Sequence, residues 1–133
     1  MPFISSKVSV PLTKEKEQVL KTRLGQAITC FPGKTESFLM LDFEDNCRLY
    51  FRGEAGPAAF IEVKVFGLLE RGACEKMTAV VTDIFAAELG IDPARIYVRY
   101  EETEETTKAQ FKIEKSVISP ASRRFSSNGL RLK

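Results

Sequence analysis

The residue of this sequence with the clearest chemical potential is Pro2, in the opening segment Met1-Pro2-Phe3-Ile4. Aminopeptidases readily remove a methionine that precedes proline, which would leave Pro2 with a free secondary amine. A free α-amino group titrates near pKa ~7.7–8.0, and burial in an apolar pocket disfavours its charged form. A neutral amine at physiological pH can serve as a general base.

The segment after Pro2 bears on whether this amine would be held in place. Ile4, Val8 and Val10 alternate with Ser5, Lys7 and Ser9, and this period of two predicts a strand. The amine would then lie on a rigid sheet and not on a frayed terminus. By itself, proline at position 2 is more often an ordinary chain end.

Other nucleophiles and metal ligands are scarce. Histidine is absent, which excludes Ser-His-Asp and Cys-His systems and all histidine metal sites. The three cysteines, Cys30, Cys47 and Cys74, lie far apart with no C-x-x-C spacing, so neither a zinc site nor a dithiol centre is indicated. We expect reduced, half-buried packing thiols, no metal and no cofactor.

The composition is that of one soluble globular domain. The chain has 133 residues, 44% of them hydrophobic and 29% charged, which is long enough for a core but near the size where association helps. It contains no apolar run approaching the ~18–20 residues of a membrane span and no signal-peptide pattern. We therefore expect a cytoplasmic protein without membrane contacts.

The charge is distributed unevenly along the chain. Residues 1–107 hold 13 Lys and Arg against 17 Asp and Glu, whereas residues 108–133 hold 7 against 1. An acidic body argues against nucleic acid as a partner. We predict a folded domain over 1–107 and an atypical basic extension over 108–133. Apart from one short strand near Gln110–Ile113, much of this extension should be mobile or lie across a neighbouring subunit.

The first half of the chain predicts a strand-helix-strand unit. A helix should begin at Lys14 with Thr13 as its cap and end at Phe31-Pro32-Gly33. Phe38–Leu41 is typical of a strand buried on both faces, and Arg48–Phe51 of a short edge strand. The predicted buried stripe of the helix comprises Val19, Leu20, Leu24, Ala27 and Ile28.

The second half repeats this order. A strand from about Ala58 is followed by a helix over roughly Ala73–Leu89, which Gly90 ends, and by a last strand over Arg95–Tyr100. Two such units predict an α/β (α+β) fold with a four-stranded mixed sheet and both helices on one face. The other face would be left bare, so we expect further copies of the chain to cover it.

Several stretches, covering about residues 1–102 in the expected order and spacing, carry a family resemblance. They are Met1-Pro2-Phe3-Ile4, Pro32-Gly33-Lys34, Phe43-Glu44-Asp45-Asn46, Ala59-Phe60-Ile61-Glu62-Val63-Lys64 and Leu89-Gly90-Ile91-Asp92-Pro93-Ala94-Arg95-Ile96-Tyr97-Val98. Together they resemble the macrophage migration inhibitory factor family of the tautomerase superfamily, in a bacterial-type variant. The resemblance implies a homotrimer with a site at each subunit interface. It also implies keto–enol tautomerisation of phenylpyruvate-like 2-oxo acids and isomerisation of dopachrome.

The resemblance assigns roles to three residues near the N-terminal proline. Pro2 matches the catalytic base, and Lys34 matches the lysine that contacts the substrate carboxylate or 2-oxo oxygen. Without the resemblance, Lys34 would be an ordinary solvated turn lysine. Phe66 stands in Val65-Phe66-Gly67, where the family has Ser-Ile-Gly and uses a backbone N–H of the middle residue.

Four further residues are implied with less specific roles. Tyr97 matches a tyrosine supplied by the neighbouring subunit, and Arg99 stands where many relatives have asparagine, so its charge would favour an anionic substrate. Phe38 matches an aromatic pocket wall, although simple packing is an equal alternative. Lys64 is close to the site by register, or is an outward strand lysine.

Two departures leave a second class of function open. The C-x-x-C of some relatives is replaced by Gly56-Pro57-Ala58-Ala59. The family's C-terminal Gly-Trp-Asn-Gly-type segment is also missing, and the chain has no tryptophan. The first hypothesis is therefore a tautomerase. The alternative is a cytokine-like protein with vestigial activity that binds a receptor through its outer surface, if secreted without a signal peptide.

Overall fold

The computed structural model describes residues 2–67, 69–103 and 114–118. Within them are two α-helices, three short 3₁₀ turns and five strands. No helix in this part of the chain is long and apolar enough to cross a membrane. The elements are β1 (Phe3–Val8), α1 (Lys14–Ala27), 3₁₀ turns at Ile28–Cys30 and Glu36–Phe38, β2 (Met40–Glu44), β3 (Ala59–Phe66), α2 (Arg71–Leu89), a 3₁₀ turn at Pro93–Arg95, β4 (Ile96–Thr103) and β5 (Glu114–Ile118).

The strands form one mixed sheet in the order β2-β1-β3-β4-β5. The pairs β1–β2 and β3–β4 are parallel, and β1–β3 and β4–β5 are antiparallel. The predicted four-stranded mixed sheet with two helices is thus confirmed. β5 extends it from within the predicted basic extension. The strand predicted near Gln110–Ile113 lies outside the described residues.

The hydrophobic core lies between the sheet and the two helices. Alternation along the strands places Ile4, Ile61, Val63, Val98 and Tyr100 on the helix side, where all are buried. The residues that pack against them from α1 and α2 are Leu20, Leu24, Met77, Val81, Ile84 and Phe85. Within the described residues, no helix lies on the opposite face of the sheet, as predicted.

Local signals set the helix ends. The Thr13 hydroxyl accepts a hydrogen bond from the Lys16 backbone N–H at 3.1 Å, which confirms the predicted cap of α1. Gly90 has the left-handed conformation (φ +68°) that ends α2, and this conformation favours glycine. The predicted stripe was wrong at Val19, which is 38% exposed, because it lies at the edge of the α1 face that meets the sheet.

The prediction of a doubly buried strand at Phe38–Leu41 was wrong. Phe38 closes a 3₁₀ turn and is 71% exposed, and the strand begins only at Met40, itself 56% exposed. β2 lies at one edge of the sheet, paired only with β1 among the described strands. Phe38 and Met40 are therefore exposed, whereas Leu39 and Leu41 are partly buried against the core.

The predicted edge strand at Arg48–Phe51 does not form. Phe51 makes only an isolated bridge with Glu54, across a turn in which Arg52 and Gly53 both have positive φ values. This tight turn folds the segment back on itself, so it does not extend along the sheet.

Candidate active site

A pocket of about 510 Å³ opens where β1 and β2 begin. It brings together three of the predicted site residues, Pro2, Lys34 and Phe38. Its other lining residues are Gly33, Thr35, Ser37, Leu39 and Met40. The predicted base, the predicted anion-binding lysine and the predicted aromatic wall therefore share one cavity, although they are up to 36 positions apart in the sequence.

Pro2 is held by the strand that follows it. The residue is buried, and its carbonyl accepts a hydrogen bond from the Met40 N–H at 3.0 Å. β1 is paired on both sides, with β2 and with β3. The N-terminal segment is therefore anchored in the middle of the sheet, as the alternating pattern after Pro2 predicts.

The loop that carries Lys34 is anchored in the core. Phe31 is 3% exposed, and its ring meets that of Tyr100 edge-on, with the centroids 6.1 Å apart. The Lys34 N–H donates to the Phe31 carbonyl at 3.1 Å. Gly33 between them has φ +80°, which a residue with a Cβ adopts only with strain. The turn thus projects Lys34 from a fixed backbone.

The Lys34 ammonium has no acidic partner in the described part of the chain. Its Nζ donates to the Phe66 carbonyl at 2.9 Å and lies 5.5 Å from the centroid of the Phe66 ring. None of the ion pairs between described residues includes Lys34. Its positive charge is therefore available to an anion in the pocket.

Lys64 and Arg99 lie elsewhere, on the sheet face without helices. Arg99 Nη1 is 2.9 Å from Glu62 Oε2 and 2.6 Å from Glu101 Oε1, and Lys64 Nζ is 3.7 Å from the same Glu101 oxygen. The members of this cluster in the described part of the chain are two cations and two carboxylates, whose formal charges cancel. Neither cation lines the pocket of its own chain.

Tyr97 also does not line the pocket of its own chain. In the β3–β4 register, Tyr97 is opposite Phe60. Phe3, the residue after Pro2, is opposite Lys64 in the β1–β3 register. Phe60 and Lys64 are four residues apart along β3, a distance of about 13 Å at ~3.3 Å per residue. The Tyr97 ring packs edge-on against Phe51, with the centroids 5.7 Å apart.

Sequence reasoning missed the hydroxyl residues of the pocket, Thr35 and Ser37, and the apolar pair Leu39 and Met40. The available signal was their position directly after Lys34, since a loop that presents one side chain to a cavity often lines it with its neighbours. These residues give the cavity polar groups near Lys34 and an apolar wall beyond it.

The buried thiol and phenol of the core take no part in this site. Burial, followed by the nearby carboxylates of Glu102 and Glu75, raises the pKa of the Cys74 thiol to about 11. Burial likewise raises the pKa of Tyr100 well above its ordinary value. Its hydroxyl hydrogen-bonds with Thr78 Oγ1 at 2.7 Å and lies 3.0 Å from the Cys74 carbonyl. Both groups are therefore neutral at physiological pH, and Cys74 is not a nucleophile.

Comparisons with known proteins agree with this architecture. The profile of the macrophage migration inhibitory factor (MIF) family matches residues 1–113. The MIF2 structure from Leishmania major is 31% identical, with a TM-score of 0.76 over 85% of this chain and 97% of that one. The homologue from Prochlorococcus marinus is 25% identical, with a TM-score of 0.63 over 74% and 85% of the two chains. The comparison with curated protein sequences found no match. The profile match and the Leishmania structure together establish that this chain belongs to the macrophage migration inhibitory factor family.

Proposed function

We propose that this protein is a tautomerase that interconverts the keto and enol forms of phenylpyruvate-like 2-oxo acids, with dopachrome-type compounds as further substrates. The observation that carries the proposal is the cavity that combines Pro2 with Lys34, a lysine that pairs with no carboxylate among the described residues. A base and an isolated cation in one partly apolar pocket are the groups that enolisation of an anionic oxo acid requires.

The proposed chemistry follows from the types of these groups. After removal of Met1, the neutral Pro2 amine takes the proton from the carbon next to the 2-oxo group. Negative charge then develops on the 2-oxo oxygen, and the Lys34 ammonium stabilises it or the adjacent carboxylate. The protonated Pro2 amine returns the proton to that oxygen to give the enol, and the reverse sequence gives the keto form. A backbone N–H of Phe66 is the proposed second donor, and the exposed Phe38 ring is the proposed wall for an aromatic substrate tail.

We further propose that the active assembly is a homotrimer. The sheet face without helices carries half-buried aromatic and charged side chains, which further copies of the chain would cover. Because Tyr97 is remote from the pocket of its own chain, a neighbouring copy would supply it, together with Arg99. Sedimentation should show a trimer at micromolar concentration, and a stable monomer would contradict both the assembly and the shared site.

The direct test is the ketonisation of phenylpyruvate enol, followed by absorbance. Mass spectrometry would first establish that Met1 has been removed. Wild-type protein should accelerate the reaction, and Pro2→Ala should slow it about 100-fold, since a positioned general base contributes ~10²–10⁴-fold. Lys76→Ala, at an exposed position of α2 outside the pocket, is the control. A well-folded trimer without turnover would instead favour the cytokine-like alternative.

A further inference from the structure

Phe66 contacts Lys34 in two ways at the end of β3. Its carbonyl accepts from Lys34 Nζ at 2.9 Å, and its ring lies with its centroid 5.5 Å from the same nitrogen. Phe66 does not line the 510 Å³ pocket itself. The ring therefore contacts the pocket lysine without forming part of the cavity wall.

Both groups of Phe66 that contact Lys34, the ring and the carbonyl, are uncharged. A cation within ~6 Å of an aromatic centroid is attracted by the ring quadrupole, and an ammonium has three donors. The Phe66 carbonyl uses one donor, which leaves two for other acceptors. Unlike the carboxylates that pair with Lys64 and Arg99, neither the ring nor the carbonyl carries a formal charge, so Lys34 is restrained without being neutralised.

We propose that Phe66 is a positioning residue for the substrate anion, because its ring and carbonyl hold the Lys34 ammonium at the pocket with its charge uncompensated. This inference rests on the proposed function of the pocket. It goes beyond the family resemblance, which assigns this position a backbone N–H alone. A preorganised cation loses less side-chain freedom when an anion binds.

Substitution of Phe66 tests the ring, because the main-chain carbonyl persists in every variant. Phe66→Leu keeps an apolar side chain without the π face, and Phe66→Tyr keeps the π face. We expect Phe66→Leu to raise KM for phenylpyruvate about threefold, with kcat changed less than twofold, as loss of a partly exposed cation–π contact implies. Phe66→Tyr should restore the wild-type KM. Tyr50→Leu, which removes an exposed aromatic ring outside the pocket, should leave KM unchanged.

Two measurements separate positioning from a general structural role. The KM for phenylpyruvate methyl ester, which lacks the carboxylate charge, should change less than that for the acid. In a double-mutant cycle with Lys34→Met, the effect of Phe66→Leu should disappear, because the ring acts through the lysine. An equal effect of Phe66→Leu in both backgrounds would overturn the proposal, as would an unchanged KM in the wild-type background.

A readout without turnover keeps this inference distinct from the proposed function. The ring should shift the NMR signals of the Lys34 ε-methylene protons upfield, and Phe66→Leu should abolish that shift while Phe66→Tyr retains it. Titration with phenylpyruvate should then show about threefold weaker binding to Phe66→Leu. If the wild-type protein binds the acid but does not turn it over, the tautomerase proposal fails and these NMR results still decide the role of Phe66. Absence of the ring-current shift in an active wild-type enzyme would overturn the role of Phe66 alone.

Discussion

The pocket around Lys34 and the ion cluster around Arg99 use the same kind of charge in opposite ways. Lys34 contacts a carbonyl and an aromatic ring, whereas Arg99 is in contact with the carboxylates of Glu62 and Glu101. The first cation keeps its charge for an incoming anion. The charge of the second cation is compensated by carboxylates of the same sheet, so its main contribution is to stabilise the association of neighbouring strands.

This difference refines the expectation for Arg99. Its position in the family pattern suggested a cation that would favour an anionic substrate. Because two carboxylates already contact its guanidinium, we expect Lys34 to provide most of the anion binding even if a neighbouring copy brings Arg99 to the pocket. Changes in the pocket should therefore alter catalysis, and changes in the cluster should alter stability.

The largest expected effect comes from extending the chain at its N-terminus. One glycine placed before Pro2 converts its amine into a tertiary amide with no basicity, so the tautomerase rate should fall by ~10²–10⁴-fold. The thermal midpoint should not change, since the added residue lies outside the sheet. Phenylpyruvate turnover at the wild-type rate by this variant would show that the pocket amine is not the base.

Removal of the pocket cation should have the next largest effect. Lys34→Met should raise KM for phenylpyruvate about 10- to 100-fold, because a hydrogen bond to a charged group is worth ~1.5–3 kcal/mol. The free energy of unfolding should change by less than about 0.5 kcal/mol, as for other changes away from the core. Lys76→Met provides the matched removal of an exposed lysine, on α2 and outside the pocket. If the free energy of unfolding changed by more than the free-energy equivalent of the KM change, Lys34 would be mainly a structural residue and the contrast with Arg99 would be wrong.

Removal of the cluster cation should give the opposite pattern. Arg99→Gln leaves Glu62 and Glu101 facing each other without their shared partner, and Glu101 is only 5% exposed. We expect the free energy of unfolding to fall by about 1–2 kcal/mol, less than the cost of breaking a fully buried pair, while KM rises less than threefold. Urea unfolding at fixed protein concentration measures the first quantity. A tenfold rise in KM would show that Arg99 binds substrate directly.

The core beneath the helices provides a third environment, in which burial keeps an acid neutral. The pKa of Cys74 is raised from 9.0 to about 11 in the folded protein, so the unfolded chain releases this proton first as the pH rises. Stability should therefore be retained below pH 9 and fall between pH 9 and 11, by at most ~1.4 kcal/mol per pH unit from this group.

Cys74→Ala separates this thiol from other alkaline effects. Its unfolding midpoint in urea should fall less steeply with pH than that of the wild-type protein, although the raised pKa of Tyr100 leaves a remaining slope of the same sign. A wild-type stability that stays constant from pH 9 to 11 would contradict the proposed environment of Cys74.

Local sequence rules predicted most of the secondary structure. The Thr13 cap, the left-handed Gly90 and the alternation in β1 and β3 each depend on a few neighbouring residues, and each was correct. The errors at Phe38–Leu41 and Arg48–Phe51 share one cause. In each segment, an aromatic residue that sequence reasoning assigned to a strand, Phe38 or Tyr50, is exposed outside any strand, and its hydrophobicity alone does not reveal that location.

The sequence by itself determined which groups could act and which elements would carry them, because residue type and hydrophobic period are properties of short segments. Only the tertiary structure decided that Pro2, Lys34 and Phe38 share a cavity, since the parallel pairing of β1 with β2 joins residues more than 30 positions apart. It also decided the difference between the two cations. Glu62 meets Arg99 through the β3–β4 register, and Lys34 meets Phe66 across a turn and a strand end. Such contacts depend on the pairing of distant segments, which no local pattern contains.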